Sequence, residues 1–390
     1  MELKNNISKI IPNLFDYKEK LIMYKNKIVL LFSTMITIWS CAGSNATTME
    51  YRSATTKVRS ERDLNAGEAY ALKALEMEEH ANDSRVAYFL AIEIYKPRRN
   101  WEKMNEMLDI AMDRNPNQSL ERPFRLDDGT VVSTIADAVK IYKEQIWMNL
   151  FNQTVELVDA ERFEEAIQKI NLAKSVLERV DNYVTACLLY MQLDDIDNAK
   201  KDLDSALQLD PNNVRVLEIY GDFAQNDLEY AVALEYYQKA LDNTDSQDAL
   251  IEKLIFIHVE LENYDRAIEL SDELLMNNPD NPDLYFNVGI IYQRLASKLY
   301  DMSVDEWKQI TAQDSPSANS IQLTYDNLKQ TLEMVKIALG YFMDSSMLEE
   351  DENTETERAM DEMKRTRKTI NDIYLNSIRQ IALDNNVILN

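Results

Sequence analysis

The chain has 390 residues, a net charge of −26 and only six glycines and eight prolines. So negative a surface repels phosphate backbones and disfavours wide contact with anionic lipid, which excludes nucleic-acid binding as a role. So little glycine points to a nearly all-helical protein.

Residues Ile28 to Trp39 form a run without charge, preceded by Lys25 and Lys27 and followed by Ser40, Cys41, Ala42 and Gly43. Twelve residues fall short of the roughly 20 that cross a bilayer as a helix. A basic start, a short apolar stretch and small residues describe a secretory signal. The cysteine placed directly after it resembles a bacterial lipoprotein signal. The resemblance implies that residues 1–40 are a signal peptide and that Cys41 carries a diacylglyceryl group, with Met23 as an alternative start. An uncleaved signal anchor is the other arrangement, and both export the rest of the chain. Ala42, with no aspartate after the cysteine, resembles lipoproteins of the outer membrane. That implies a lipid anchor in the cell envelope, on the periplasmic side of the outer membrane. Residues 41–64 then hold the lipidated cysteine and a stretch of small polar residues, expected to be a flexible tether.

From residue 65 onward the signal is periodic. A first unit beginning at Arg85 places Tyr88, Ala91, Tyr95, Leu108, Ala111 and Pro116 at helical spacing, with Met104 where later units have alanine. Asp127-Asp128-Gly129 then lies between two short extended stretches, Phe124–Leu126 and Thr130–Val132. Asp-Gly in that setting signals a hairpin turn, so 122–133 is expected to be a small β-flap, which either packs on the repeats, the favoured role, or projects to a partner. Thr134 and Asp137 have the spacing of a capping box opening a long helix. A unit from Trp147 follows, with Leu150, Leu157, Ala166, Ile170 and Ala173.

The next three units are in phase. Ala199, Ala233 and Ala267 lie 34 residues apart, and seven residues beyond each stand Ala206, Ala240 and Leu274. Pro211 and Pro279 close two of these units, and a sixth begins at Pro282 with Tyr285, Val288, Gly289 and Tyr292. A fixed period in this range marks stacked helical hairpins, whose close approach needs small side chains. The pattern resembles the tetratricopeptide repeat family. The resemblance implies an all-α, right-handed superhelical solenoid of antiparallel helix pairs over 65–342, with about six units and insertions at 117–134 and 297–323. It also implies binding of proteins or peptides rather than chemistry. Ser271 departs from the pattern, standing where a large residue is usual, and implies less regular packing of its helix pair.

The family lines its concave face with residues from the first helix of each unit. Carried onto this sequence, that gives Phe151, Val155, Glu218, Asp222, Glu252, Phe256, Phe286 and Ile290 as a candidate partner groove. Its acids argue against a ligand gripped by its terminal carboxylate, while its apolar residues suit an apolar helix or extended peptide. The alternative is that the chain's own segments cover them.

In the sixth unit the second alanine is delayed to Ala338. The insert is expected to hold a short helix capped by Ser303 and Glu306, followed by Trp307 and Ile310. Residues 343–390 read as an acidic loop at Glu349–Glu352 and a last helix with a stripe of Met363, Ile370, Tyr374, Ile378 and Ile381, expected to cap the stack.

Little points to catalysis. The two histidines, His80 and His258, are far apart, and His258 falls on a core position. There is no Gly-x-Ser-x-Gly elbow and no glycine-rich phosphate loop. Cys187 occupies a core position and reads as a small apolar filler. The expectation is a non-enzymatic interaction scaffold of the envelope, without cofactor or metal, supporting assembly of an envelope complex. Its partners would be other envelope proteins or peptides. The alternative is a periplasmic, chaperone-like module that holds apolar segments in transit.

Overall fold

A computed structural model describes residues 47–245, 247–349 and 354–389. The expected signal peptide and Cys41 lie outside the described residues, as do the first part of the expected tether and 350–353 in the acidic run. No helix among the described residues is long and apolar enough to cross a membrane. The chain divides into two compact units, one ending at Pro211 and one beginning at Asn212.

The first unit opens with α1 (Met49–Arg59) and α2 (Leu64–Leu75), then a 3-10 turn at Glu78–His80. Next come α3 (Arg85–Phe89), continued by a π-helical turn at Leu90–Tyr95, and α4 (Trp101–Arg114). Strands β1 (Ser119–Arg125) and β2 (Val131–Thr134) pair antiparallel, and α5 (Ile135–Asp159), α6 (Phe163–Val176), α7 (Val180–Gln192) and α8 (Ile196–Leu209) complete the unit. The second unit holds α9 (Val214–Asn226), α10 (Tyr230–Leu241), α11 (Asp248–Glu260), α12 (Tyr264–Asn277), α13 (Pro282–Thr311) and α14 (Ala318–Leu348). It ends with α15 (Thr354–Thr369), a π-helical turn at Ile370–Leu375 and α16 (Asn376–Asp384). In both units successive helices pack as antiparallel pairs, the stacking that the 34-residue period predicts.

The periodic alanines are where these pairs touch. Ala199, Ala206, Ala233, Ala240 and Ala267 are fully buried. In two pairs a glycine carries the approach further. A Cβ on Gly221 would sit 2.3 Å from the Tyr237 ring, and one on Gly289 would sit 2.5 Å from the Phe342 ring. Helix starts are fixed by side chains that accept orphan backbone N–H groups: Asp63, Asn100, Asp195, Asn213, Asn281 and Ser317 all cap in this way.

The turn inside each of six pairs shares one backbone device. Arg62, Arg99, Glu161, Asp194, Leu228 and Glu262 all have φ between 53° and 61°. In five of these turns the next residue donates its N–H to the carbonyl five positions back, as Asp195 does to Tyr190 (2.9 Å), Glu229 to Ala224 (2.8 Å) and Asn263 to His258 (2.8 Å). This is the left-handed closure that ends a helix and satisfies its last carbonyls.

The tether reading does not hold for residues 49–64. Tyr51 and Ala54 are buried and Val58 packs beside them, a stripe at helical spacing within a threonine-rich segment. Thr48 caps α1 by accepting from the N–H of Tyr51. Gly67 of α2 lies against Val58, so α1 and α2 are a helix pair ahead of the first expected unit. A polar network fixes the pair in place. Arg59 grips Glu93 through both oxygens and reaches Glu121, while Tyr51 donates to Glu121 (3.0 Å).

The β-flap is present and slightly longer than 122–133. Gly129 has φ 89°, its N–H donates to the Leu126 carbonyl, and Asp128 accepts from the N–H of Thr130. The flap packs down: Leu120, Phe124 and Val132 are buried, and Phe124 meets Tyr142 at 5.9 Å. Thr134 caps α5 and donates to the Asp137 carboxylate (2.7 Å).

The expected insert with its own short helix is absent. Residues 282–311 form one unbroken helix, because no breaker interrupts 294–311. Ser303 does not cap. It is buried in mid-helix and donates to the Leu299 carbonyl one turn back. The delay in the repeat is taken up by lengthening both helices of the pair to 30 and 31 residues. Likewise α14 continues through 343–348, where a loop is expected. Met363, Ile370, Leu375 and Ile378 of the last helical segment bury against α14, with Tyr374 and Ile381 partly buried beside them.

Candidate partner cleft

The eight groove residues divide between the two units and do not behave alike. In the first unit Phe151 is buried, its ring 5.2 Å from that of Trp147, and Val155 is packed against the same core. Phe151 therefore presents no surface to a partner. Trp147 is itself held: its indole N–H donates to Asn182 (2.7 Å), and the Asn182 amide donates to the Leu177 carbonyl.

In the second unit, two of the acids are spent on the protein itself. Glu218 pairs with Arg215 at 3.3 Å. Asp222 accepts from the Tyr237 hydroxyl (2.7 Å) and from Lys253 (2.6 Å). Phe286 turns towards the core, 5.5 Å from Phe342.

Glu252, Phe256 and Ile290 do come together. Spaced four residues apart on α11, Glu252 and Phe256 share a face, and Ile290 comes from α13. The three line a cavity of about 180 Å³ with Ile255, Val259, Ser271, Leu284 and Arg294. Phe256 is 41% exposed, with Tyr230 edge-on at 6.3 Å. Burial, then the carboxylates of Asp248 and Asp283, raise the Glu252 carboxyl above its ordinary range. The cleft thus combines an apolar wall with the Glu252 carboxylate, near those of Asp248 and Asp283, and with Arg294, which pairs with Glu260. It offers surface and charge, not a nucleophile with its base.

Ser271 is where the departure from the repeat pattern takes effect. It is buried and donates to the Ala267 carbonyl (2.7 Å), so it contributes no bulk where α10 has Tyr237. The cavity is the room it leaves.

His80 is fully buried in the first unit. Its ring nitrogens meet Thr48 Oγ1 and Asp83 Oδ2, each at 2.9 Å. A hydroxyl, an imidazole and a carboxylate in line look like a nucleophilic triad. Here the Thr48 oxygen also accepts the Tyr51 N–H that starts α1, and the imidazole has no exposed surface, so the chain ties α1 to the turn below it. His258 is half-buried rather than fully packed, and burial lowers its pKa. Cys187 is fully buried, the core position the sequence assigns it. Among the described residues, no three His, Cys, Asp or Glu side chains gather in a way that could hold a metal.

The tetratricopeptide repeat profile matches residues 180–213, the stretch holding α7 and α8. A Photosystem I assembly protein Ycf3 of Synechococcus sp. (strain CC9605) is 31% identical over 126 residues, covering 27% of this chain and 73% of that protein. Among solved structures, the APC/C hetero-tetramer Cut9–Hcn1 aligns with a TM-score of 0.38 at 12% identity, over 80% of this chain and 51% of that one. This chain therefore spans about half of that structure's length. PilF of Pseudomonas aeruginosa aligns with a TM-score of 0.36 at 16% identity, over 57% of this chain and 98% of that one. Repeat period, helix pairing, profile and relative agree: the chain belongs to the tetratricopeptide repeat family.

Proposed function

We propose that this protein is a non-enzymatic interaction scaffold of the bacterial cell envelope, anchored through an acylated Cys41 and supporting the assembly of an envelope complex. The observation that carries the interaction role is the cleft between α11 and α13. There a half-exposed aromatic ring and an apolar cavity lie beside the Glu252 carboxylate, which Asp248 and Asp283 reinforce, while Arg294 is paired with Glu260. Such a surface suits an apolar segment that brings positive charge. The lipid anchor and outer-membrane location rest on the sequence around Cys41. An assembly role is in keeping with the name of the Synechococcus relative.

Crosslinking in intact cells, followed by recovery of the tagged full-length protein, tests this reading. Envelope proteins should co-purify in fixed ratio with the wild type and be lost with Phe256→Glu together with Ile290→Glu. Cytoplasmic partners, or a partner set unchanged by those substitutions, would overturn it. Cys41→Ser should release the protein from membranes into a soluble exported fraction.

The exposed Phe256 also favours a second reading, a chaperone-like module that holds apolar segments in transit. Under that reading the purified protein binds unfolded apolar peptides transiently, and no stoichiometric complex is recovered.

A further inference from the structure

Leu203, Tyr237 and Ser271 stand 34 residues apart, at one register of the second helix in three successive pairs. Leu203 and Tyr237 are fully buried and fill that register. Ser271 turns its hydroxyl back to the Ala267 carbonyl, and the cavity of about 180 Å³ beside it stays open. Its inner walls are Ile255, Val259, Leu284, Val288 and Ile291, all apolar and buried. An apolar cavity of about 150 Å³ stays dry and binds benzene, so a space of this size and lining takes a six-membered ring in preference to water.

The mouth of this cavity is reached from solvent. Glu252, Phe256, Asn287 and Arg294 line it and are exposed, unlike the inner walls. Its two charged groups differ in what they have left to offer. Arg294 is taken by Glu260. Glu252 has no cation and no hydrogen-bond donor against it: burial, Asp248 and Asp283 all act on its carboxyl in the same direction and raise it above its ordinary range. A carboxylate in that setting gains from an arriving cation. Phe256 stands one turn further along α11, and an aromatic ring attracts the same cation over its face.

We propose that the cleft between α11 and α13 binds a small arylalkyl amine, its ring in the space that Ser271 leaves and its ammonium group on the Glu252 carboxylate at the mouth. Ring and charge are both needed. The apolar walls give a bare cation nothing to pack on, and Glu252 repels an anion of the same shape. An amine seated there covers the surface that the scaffold reading offers to a protein, so it competes with that partner. The inference rests on that reading for the competition and on the cavity alone for the binding.

The test titrates the full-length protein by calorimetry with phenethylamine, phenethyl alcohol and ethylamine, which carry ring and charge, ring alone and charge alone. Phenethylamine should bind saturably, one per chain. The other two should bind at least about tenfold more weakly, since each lacks one half of the contact. Glu252→Gln should bring phenethylamine to the level of the alcohol and leave the alcohol unchanged. Ser271→Leu should close the cavity and abolish binding of both, and Glu252→Gln, an exchange at an exposed position, decides the matter should Ser271→Leu not fold. Ethylamine or the alcohol binding as tightly as phenethylamine, an unchanged amine affinity in Glu252→Gln, or no saturable binding of phenethylamine would each overturn the proposal. None of these results alters the recovery of envelope proteins by crosslinking, so the two readings fail separately.

Discussion

Ile255 of α11 and Ser271 of α12 line one cavity, and they invert the size relation of the pairs on either side. In the preceding pair Gly221 lies under the ring of Tyr237, and in the following pair Gly289 lies under Phe342. Small on the first helix meets large on the second in both. With Ile255 and Ser271 the order is reversed, and the reversal does not fill the space. The cavity here follows from a missing side chain.

The glycine contacts make two opposite predictions. Gly221→Ala places a methyl 2.3 Å from the Tyr237 ring, which is buried and cannot swing away. Overpacking of this sort costs about 1–3 kcal/mol, more than the helix gains from alanine. Gly340 also sits within a helix, yet a Cβ there meets nothing within 4 Å. Gly340→Ala should therefore stabilise by about 0.5–1 kcal/mol. Urea unfolding of the two variants beside the wild type checks both signs.

Leu228 holds φ 60° with its side chain 69% exposed. A left-handed conformation costs an L-residue roughly 1–2 kcal/mol, and little packing here offsets it. Leu228→Gly should raise stability by about 0.5–1 kcal/mol, since glycine's own entropic cost takes back part of the gain. A lower melting temperature in the variant would mean that the exposed leucine packs after all.

Asn182 is fully buried between the Trp147 indole and the Leu177 carbonyl. Asn182→Ala strands a donor and an acceptor together. The expected loss is about 2 kcal/mol, the usual consequence of a buried group left without its partner. Denaturant unfolding followed by tryptophan fluorescence measures it.

Asp83 makes the first unit acid-sensitive. Burial pushes its carboxyl up, but hydrogen bonds from Arg85, Gln118 and His80 outweigh burial and hold it well below the usual carboxylate range. The folded chain therefore favours the ionised form more than the unfolded chain does. That contribution is complete above the unfolded carboxylate pKa of about 3.9 and drains away as pH falls further. Asp83→Asn should lower stability at pH 7 by about 2 kcal/mol, as loss of charge-assisted hydrogen bonds does, and should flatten the decline below pH 4. Parallel slopes for variant and wild type would assign the acid sensitivity elsewhere.

The parts of this fold that were legible in the sequence are those set by local spacing. Ala199, Ala233 and Ala267 mark helix contacts because only small residues fit there, and Asp128-Gly129 marks a turn because glycine takes the positive φ. The pair α1 and α2 was not legible, because Thr47, Thr48, Ser53, Thr55 and Thr56 dilute the stripe of Tyr51, Ala54 and Val58. The long α13 was misread because Ser303 has the chemistry of a cap, and only its buried surroundings decide that it bonds backwards. The cleft was half legible. Glu252, Phe256 and Ile290 follow from helical spacing, whereas the burial of Phe151 and the pairing of Asp222 with Lys253 depend on neighbours distant in sequence.

The left-handed turns have a consequence for how such a chain can change length. Arginine, glutamate, aspartate and leucine all serve at the closing position, and the bonds that close the turn run between backbone atoms. The joint is therefore indifferent to the residues it joins. The stretch from Leu228 to Glu262 begins and ends at equivalent joints, one period apart. It is a cassette that can be duplicated or deleted with its ends still matching, whereas a cut within a helix leaves two stubs that fit nothing. Growth by whole cassettes leaves each existing surface intact, so a cleft such as that of Phe256 can be kept while the chain around it lengthens.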